Sequence, residues 1–222
     1  MNNLVITGVN SGVGYAAAEF FSKKYNVFGI SRNDNNLGSL YRSPNFKFIK
    51  ANISNPKDVS AAFSQIENIY CLINCAAIFE STPFIKQRVD LIEQIIDTNL
   101  KGTIFVTRAA LEKMDGGRII NISSVSGKHG IKNQAAYSAS KHGITGFMDS
   151  LNQELVEKGI QVTNLCPGGI KTPLWGPNNP YKGDLSRLLT PEDIVRILNF
   201  IIDSPSRIVF KELTVFPDSE IH

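Results

Sequence analysis

"VITGVNSGVGYAAAEFF", residues 5–21, decides the fold. A short apolar strand runs straight into a tract with three glycines, and an alanine-rich helix follows at once. The same tract in isolation is a flexible turn. Placed between a strand and a helix, its glycines have separate duties. Gly8 permits the tight turn, Gly12 lets the backbone approach a pyrophosphate, and Gly14 allows helix and strand to pack closely. Asn10, Ser11 and Val13 complete the turn, with Ser11 adding a hydroxyl donor. Unpaired amides and the helix dipole at the start of the helix favour an anion. A dinucleotide is the expected ligand.

The pattern repeats along the chain. Short apolar runs at 4–7, 27–31, 46–50, 70–75, 118–123, 161–166 and 213–216 predict strands. Most are nearly continuously apolar, as strands covered on both faces are. Helical stretches fall between them, at about 13–24, 56–67, 85–113, 137–157 and 191–203. "NPKDV" and "TPEDI" each place a capping residue, a proline and an acid at a helix start. The alternation predicts an α/β fold: a Rossmann-like, doubly wound parallel sheet of about seven strands with helices on both faces. The 222 residues suffice for one domain, 1–222, with a short substrate loop at about 172–188.

The second strand ends in "SRND". An acid at that place holds the ribose of NAD, whereas an arginine accommodates the extra phosphate of NADP. Ser31, Arg32 and Asn33 offer a guanidinium and donors without repulsion, so NADP(H) is favoured. Asp34 leaves NAD(H) as the alternative.

"YSASK", 137–141, sets Tyr137 and Lys141 one helical turn apart, on one face. The strand "RIINISS" ends upstream at Ser123 and Ser124. A free tyrosine, with a pKa near ~10, is a poor base at neutral pH. An ammonium and a positive nicotinamide ring beside it would favour phenolate. Tyr137 is then placed to pass a proton to or from a substrate oxygen as hydride moves at the adjacent carbon.

Together these stretches resemble the short-chain dehydrogenase/reductase family along nearly the whole chain, and its ordinary oxidoreductase branch in length and glycine spacing. "TGVNSGVG" looks like the family's TGxxxGxG turn, "YSASK" like its YxxxK motif, "INISSVSG" like its serine strand, and "CPGGIKT" like its PG motif. "DTNLKGT" carries Asn99 where the family has a helix asparagine. The resemblance implies that Tyr137 is the general acid/base, that Lys141 lowers its pKa and bonds the nicotinamide ribose, and that Ser124 donates to the substrate oxygen. It further implies that Asn99 holds a water in a proton relay. Pro167, Gly168, Ile170 and Thr172 would contact the nicotinamide. Ser123 is expected to point away from the site.

Three departures stand out. The family's NNAG is "NCAA" here, which keeps Asn74 and Ala76 but substitutes Cys75 and Ala77; weaker local order is expected. The acid that usually meets adenine is Asn52, whose amide oxygen can still accept, with Ile53 beside it. The tail "FPDSEIH" lacks the usual small glycine-containing segment, which puts tetramer contacts made through it in doubt.

A net charge of +3 without a dense basic block argues against nucleic acid. No apolar run reaches the ~20 residues that span a bilayer, and no basic leader precedes the first strand. Three cysteines without a framework spacing suit reduced thiols in a cytoplasmic protein. The three histidines have no partners at metal-ligand spacing, so no metal is expected. Phe79, Ser126, His129, Gly169, Leu174, Trp175 and Tyr181 are candidates for the pocket wall, with a small carbonyl or alcohol as substrate. Outer helix faces would pair subunits into a homodimer or homotetramer; Phe105, Phe147, Met148 and Leu151 are candidates for that contact or, alternatively, for the face turned to the sheet. The rival reading is a catalytically weak, dinucleotide-sensing regulator on the same scaffold.

Overall fold

A computed structural model describes residues 1–175 and 183–220. Seven strands are present among them: β1 (Asn3–Thr7), β2 (Asn26–Ser31), β3 (Phe46–Lys50), β4 (Cys71–Asn74), β5 (Gly117–Ile122), β6 (Ile160–Pro167) and β7 (Glu212–Val215). They form one parallel sheet in the order β3-β2-β1-β4-β5-β6-β7. The order reverses direction at β1/β4, so the carboxyl ends of those strands open a crevice there.

Helices cover both faces. α1 (Gly12–Phe21) and α6 (Pro191–Asp203) pack on one side, around Leu4, Ile6, Phe21, Ile120 and Leu198. α2 (Pro56–Phe63), α4 (Thr103–Leu111) and α5 (Ala135–Leu155) pack on the other, around Phe63, Leu72, Val106, Ile119 and Met148. Each such buried side chain contributes about 1.5–3 kcal/mol, whereas exposed ion pairs such as Arg108–Glu112 contribute about 0–1 kcal/mol. The two apolar layers therefore dominate. Both proline-led helix starts are capped as their sequences require. Asn55 accepts from Lys57 N at 2.9 Å, and Thr190 and Asp193 form a reciprocal capping box.

The stretch read as one helix, 85–113, is subdivided. A 3₁₀ turn (Phe84–Lys86) precedes α3 (Val89–Ile95), and a π-helical segment, Ile96–Gly102, joins α3 to α4. A π segment of seven residues is too short to leave a periodicity of its own, so the sequence pattern could not separate it from the flanking α turns. The wider turn swings Asn99 fully inward, to 0% exposure. π segments of this kind recur at functional sites. Met148 and Leu151, offered above as outer-face contacts, lie in the core at 1% and 8% exposure, and Phe105 and Phe147 pack against it. Among the described residues, no helix is long and apolar enough to cross a membrane.

Candidate active site

The glycine turn lies at the crevice. Gly8 has φ +75°, and a Cβ there would stand 2.9 Å from the backbone of Ala76. Gly12 has φ +54°. At Gly14 a Cβ would overlap the carbonyl of Gly8, so only glycine lets α1 sit this close to the turn. Ser11 is the N-cap of α1, and its side chain makes no capping bond. The first-turn amides, which have no partner within the helix, are thus left to a ligand.

One cavity of about 660 Å³ runs from this turn across the carboxyl edge of the sheet. Gly8, Asn10, Ser11, Gly12, Val13 and Gly14 line one part of it, and Ser31, Arg32, Asn52 and Ile53 line the part beyond β2 and β3. Ala76, Ser124, Tyr137 and Lys141 line the centre, with Pro167, Gly168, Ile170 and Thr172 opposite. Of the pocket-wall candidates, Phe79, Ser126, His129, Gly169, Leu174 and Trp175 line it, while Tyr181 lies outside the described residues.

Three expected site residues stand behind the wall. Asn33 ties the glycine turn to the β2 loop, accepting from Asn10 Nδ2 at 3.2 Å. Asn74 donates to Thr107 Oγ1 at 3.1 Å. Asn99 clamps the chain after β4: its Oδ1 accepts from Ile78 N at 2.7 Å, and its Nδ2 donates to Ile78 O at 2.9 Å and Ser140 Oγ at 3.1 Å. Order around "NCAA" is supplied by Thr7, whose Oγ1 accepts from the amides of Cys75 (3.1 Å) and Ala76 (3.2 Å). Asn52 differs from expectation. Its Oδ1 already accepts from Ser54 N at 3.2 Å and Ser54 Oγ at 2.9 Å, so both acceptor positions are engaged before any adenine arrives.

β5 delivers the two serines in opposite directions. Ser124 has extended backbone and its hydroxyl bonds Ser126 N at 3.1 Å. Ser123 Oγ points instead toward Gly127, where a Cβ would come within 2.9 Å of it. On α5, Tyr137 and Lys141 are both buried, at 6% and 3% exposure. The Phe79 ring meets Tyr137 edge-on at 4.9 Å, and Lys141 Nζ donates to Ile122 O at 2.9 Å. Burial pushes the Tyr137 phenol up to about 12, against a lowering hydrogen bond with Ser124. Burial pushes the Lys141 ammonium down to about 8, with Cys75 and Cys166 acting the other way. The sequence argument had Lys141 favouring phenolate. Among the protein's own groups, desolvation of the phenol prevails, and at neutral pH Tyr137 holds its proton.

Among the wall residues that sequence reasoning missed are Lys132 and Gln134, after β5, and Phe216 and Glu220, which the tail after β7 brings to the cavity. The only sequence signal for the latter two was Pro217, which turns the chain.

The short chain dehydrogenase family model matches residues 2–182. The chain belongs to that family. It is 27% identical to an uncharacterised oxidoreductase of Staphylococcus haemolyticus and 29% identical to one of Staphylococcus aureus, with 96% of each chain covered in both cases. Among solved structures it is similar to a 4-hydroxyisoleucine dehydrogenase mutant in complex with NADH and succinate, at 28% identity, TM-score 0.87 and 97% coverage of both chains. Serine dehydrogenase in complex with NADP+ superposes with TM-score 0.92 at 24% identity, covering 99% of this chain and 96% of that one, a likeness of fold alone. This family member is a short-chain dehydrogenase/reductase enzyme.

Proposed function

We propose that the protein is an NADP(H)-dependent oxidoreductase that transfers a hydride between nicotinamide and a carbonyl or secondary alcohol, with Tyr137 as general acid/base. The observation that carries this reading is the convergence of Ser124, Tyr137 and Lys141 on one cavity with an uncapped helix start. The glycine turn fits a dinucleotide: it lines the cavity at the start of α1, and Gly8 and Gly14 allow a close backbone packing there that a side chain at either would prevent. Residues 8–14 would hold the pyrophosphate, and Pro167 to Thr172 the nicotinamide end. When bound, the dinucleotide supplies or accepts the hydride.

The chain's own groups do the rest. Tyr137, protonated at neutral pH, is in the form that donates to a carbonyl oxygen. Ser124 adds a second donor to that oxygen and stabilises charge developing on it. Lys141, held by Ile122 O, puts a positive charge beside the phenol and favours the phenolate left after donation. Asn99 is retained for the relay, as the group that fixes the Ile78 main chain beside the site.

NADP(H) is preferred because Arg32 is exposed at the cavity and no acid among the described residues pairs with it. Asp34, which would favour NAD(H), accepts instead from Tyr41 OH at 3.0 Å. The NADH in the 4-hydroxyisoleucine dehydrogenase complex keeps NAD(H) as the second reading. We take residues 1–222 to act as one domain in a homodimer or homotetramer, and the three free cysteines fit a reducing, cytoplasmic setting.

The test is Tyr137→Phe, which removes the transferable proton and keeps the ring. NADPH-dependent reduction across a carbonyl panel should fall by ~10²–10⁴ while NADPH binding persists. Undiminished turnover in the variant would overturn the assignment.

A further inference from the structure

The tail after β7 turns back onto the site. It ends in one 3₁₀ turn, Asp218–Glu220, held from outside by an Arg187–Asp218 ion pair at 3.0 Å. Glu220 N donates to Pro217 O at 3.0 Å. Its side chain then reaches the loop after β6, where Oε2 accepts from Gly169 N at 2.9 Å. The carboxylate occupies the space that side chains at 168 and 169 would fill, since a Cβ on either glycine would run into its oxygens. The Trp175 ring borders the same spot, with Cη2 3.2 Å from a Cβ at Gly169.

Glu220 is the only carboxylate among the described residues that line the cavity shared with Ser124 and Tyr137. None of the ion pairs among the described residues reaches it; the tail's pair goes through Asp218. Among the described residues its charge is therefore anchored by one amide and paired with no cation. We propose that Glu220 determines substrate specificity by selecting carbonyl or alcohol substrates that carry a positively charged amine. The inference rests on the oxidoreductase reading above. An ammonium group would meet a pre-positioned carboxylate through a charge-assisted hydrogen bond, with the Trp175 ring alongside. The same carboxylate repels anionic substrates, so it discriminates in both directions. Lys132, exposed on the cavity wall, is the residue that would favour the opposite class.

The experiment compares kcat/KM for NADP+-dependent oxidation of 4-aminobutan-2-ol, pentan-2-ol and 3-hydroxybutyrate by wild type, Glu220→Gln and Glu220→Lys. Ratios between substrates are the readout. Wild type should favour the amino alcohol over pentan-2-ol by about ten- to a hundredfold. That ratio should approach one in Glu220→Gln, and Glu220→Lys should favour the hydroxy acid. An equal ratio in wild type and Glu220→Gln overturns the inference, as does a wild-type preference for 3-hydroxybutyrate, which would assign the pocket's charge to Lys132. Both of those outcomes leave the oxidoreductase reading standing, whereas oxidation of none of the three alcohols removes both.

Discussion

Lys141 Nζ donates to the carbonyl of Ile122 at 2.9 Å, which binds the second turn of α5 to the end of β5. One contact thus fixes the helix that carries Tyr137 against the strand that delivers Ser124. It does so with a buried ammonium, whose desolvation opposes its charge.

That cost should show in stability. The folded-state value of about 8 lies below the ordinary lysine value of 10.5, which corresponds to about 3 kcal/mol of differential stabilisation. Below about pH 8 folded and unfolded chains are both protonated, and the folded state bears the whole penalty. Between about 8 and 10.5 the unfolded chain holds more protons, so this group makes stability rise with pH; above 10.5 the penalty has gone. Lys141→Met should therefore be more stable than wild type at pH 7, by about 1–2 kcal/mol after the lost hydrogen bond is counted. The gap should narrow as pH approaches 10, and turnover should be lost. Denaturant midpoints at pH 7 and 9.5 provide the check, and a variant less stable at both would contradict the argument.

The Asn99 amide is a second such fixture, and its removal should act on the fold as well as the rate. Asn99→Ala leaves the N–H and C=O of Ile78 without their partners. An unsatisfied buried polar group costs about 1–3 kcal/mol. We expect stability to fall by about 2–4 kcal/mol, with amide exchange at Ile78 accelerated. Unchanged protection of Ile78 would show that water replaces the clamp.

How far these features were legible depends on the range of the force involved. The strand at 46–50 was found to the residue, because Phe46 and Phe48 alternate with Lys47 and Lys50 as a half-covered edge strand requires, while the inner strands, apolar throughout, were found to within a residue. The glycine turn and the 137–141 pair were legible because each duty there requires a particular residue type at a set spacing. The π segment around Asn99 was not, since the partners that hold Asn99 inward, Ile78 and Ser140, are 21 and 41 residues away in sequence. The committed oxygen of Asn52 depends on Ser54, a neighbour whose hydroxyl has other uses. As with Asn99, Glu220 was hidden by distance along the chain. Its place opposite Gly169, 51 residues away in sequence, is a tertiary contact that no local pattern encodes.

Subunit pairing can be tested on α5. Its solvent face presents Ala139, His142, Gly146, Asp149 and Ser150, and a Cβ at Gly146 would meet nothing within 4 Å. If this face pairs with a second copy, Gly146→Arg should place a charge in the interface and leave the protomer folded. Light scattering at micromolar concentration should then show the wild-type dimer or tetramer and a smaller variant, with unchanged circular dichroism. Equal masses for the two proteins would move the interface elsewhere.

The choice of cofactor turns on Arg32 and Ser31. Ser31 Oγ donates to the carbonyl of Asn33 at 2.5 Å, which holds the loop after β2 in place, and Arg32 next to it is exposed at the cavity. A guanidinium there suits a 2′-phosphate and has no counterpart on NADH. Arg32→Ala should weaken NADPH by about ten- to a hundredfold, the equivalent of about 1.5–3 kcal/mol for a charge-assisted hydrogen bond, and leave NADH nearly unchanged. Ser31→Asp should go further. Its carboxylate would repel the phosphate and accept from the ribose hydroxyls of NADH, so the preference should reverse. Paired titrations of NADPH and NADH on wild type and both variants measure this directly. Equal weakening of the two cofactors by Arg32→Ala would mean that the guanidinium supports the loop rather than the phosphate, and the preference for NADP(H) would lose its main support.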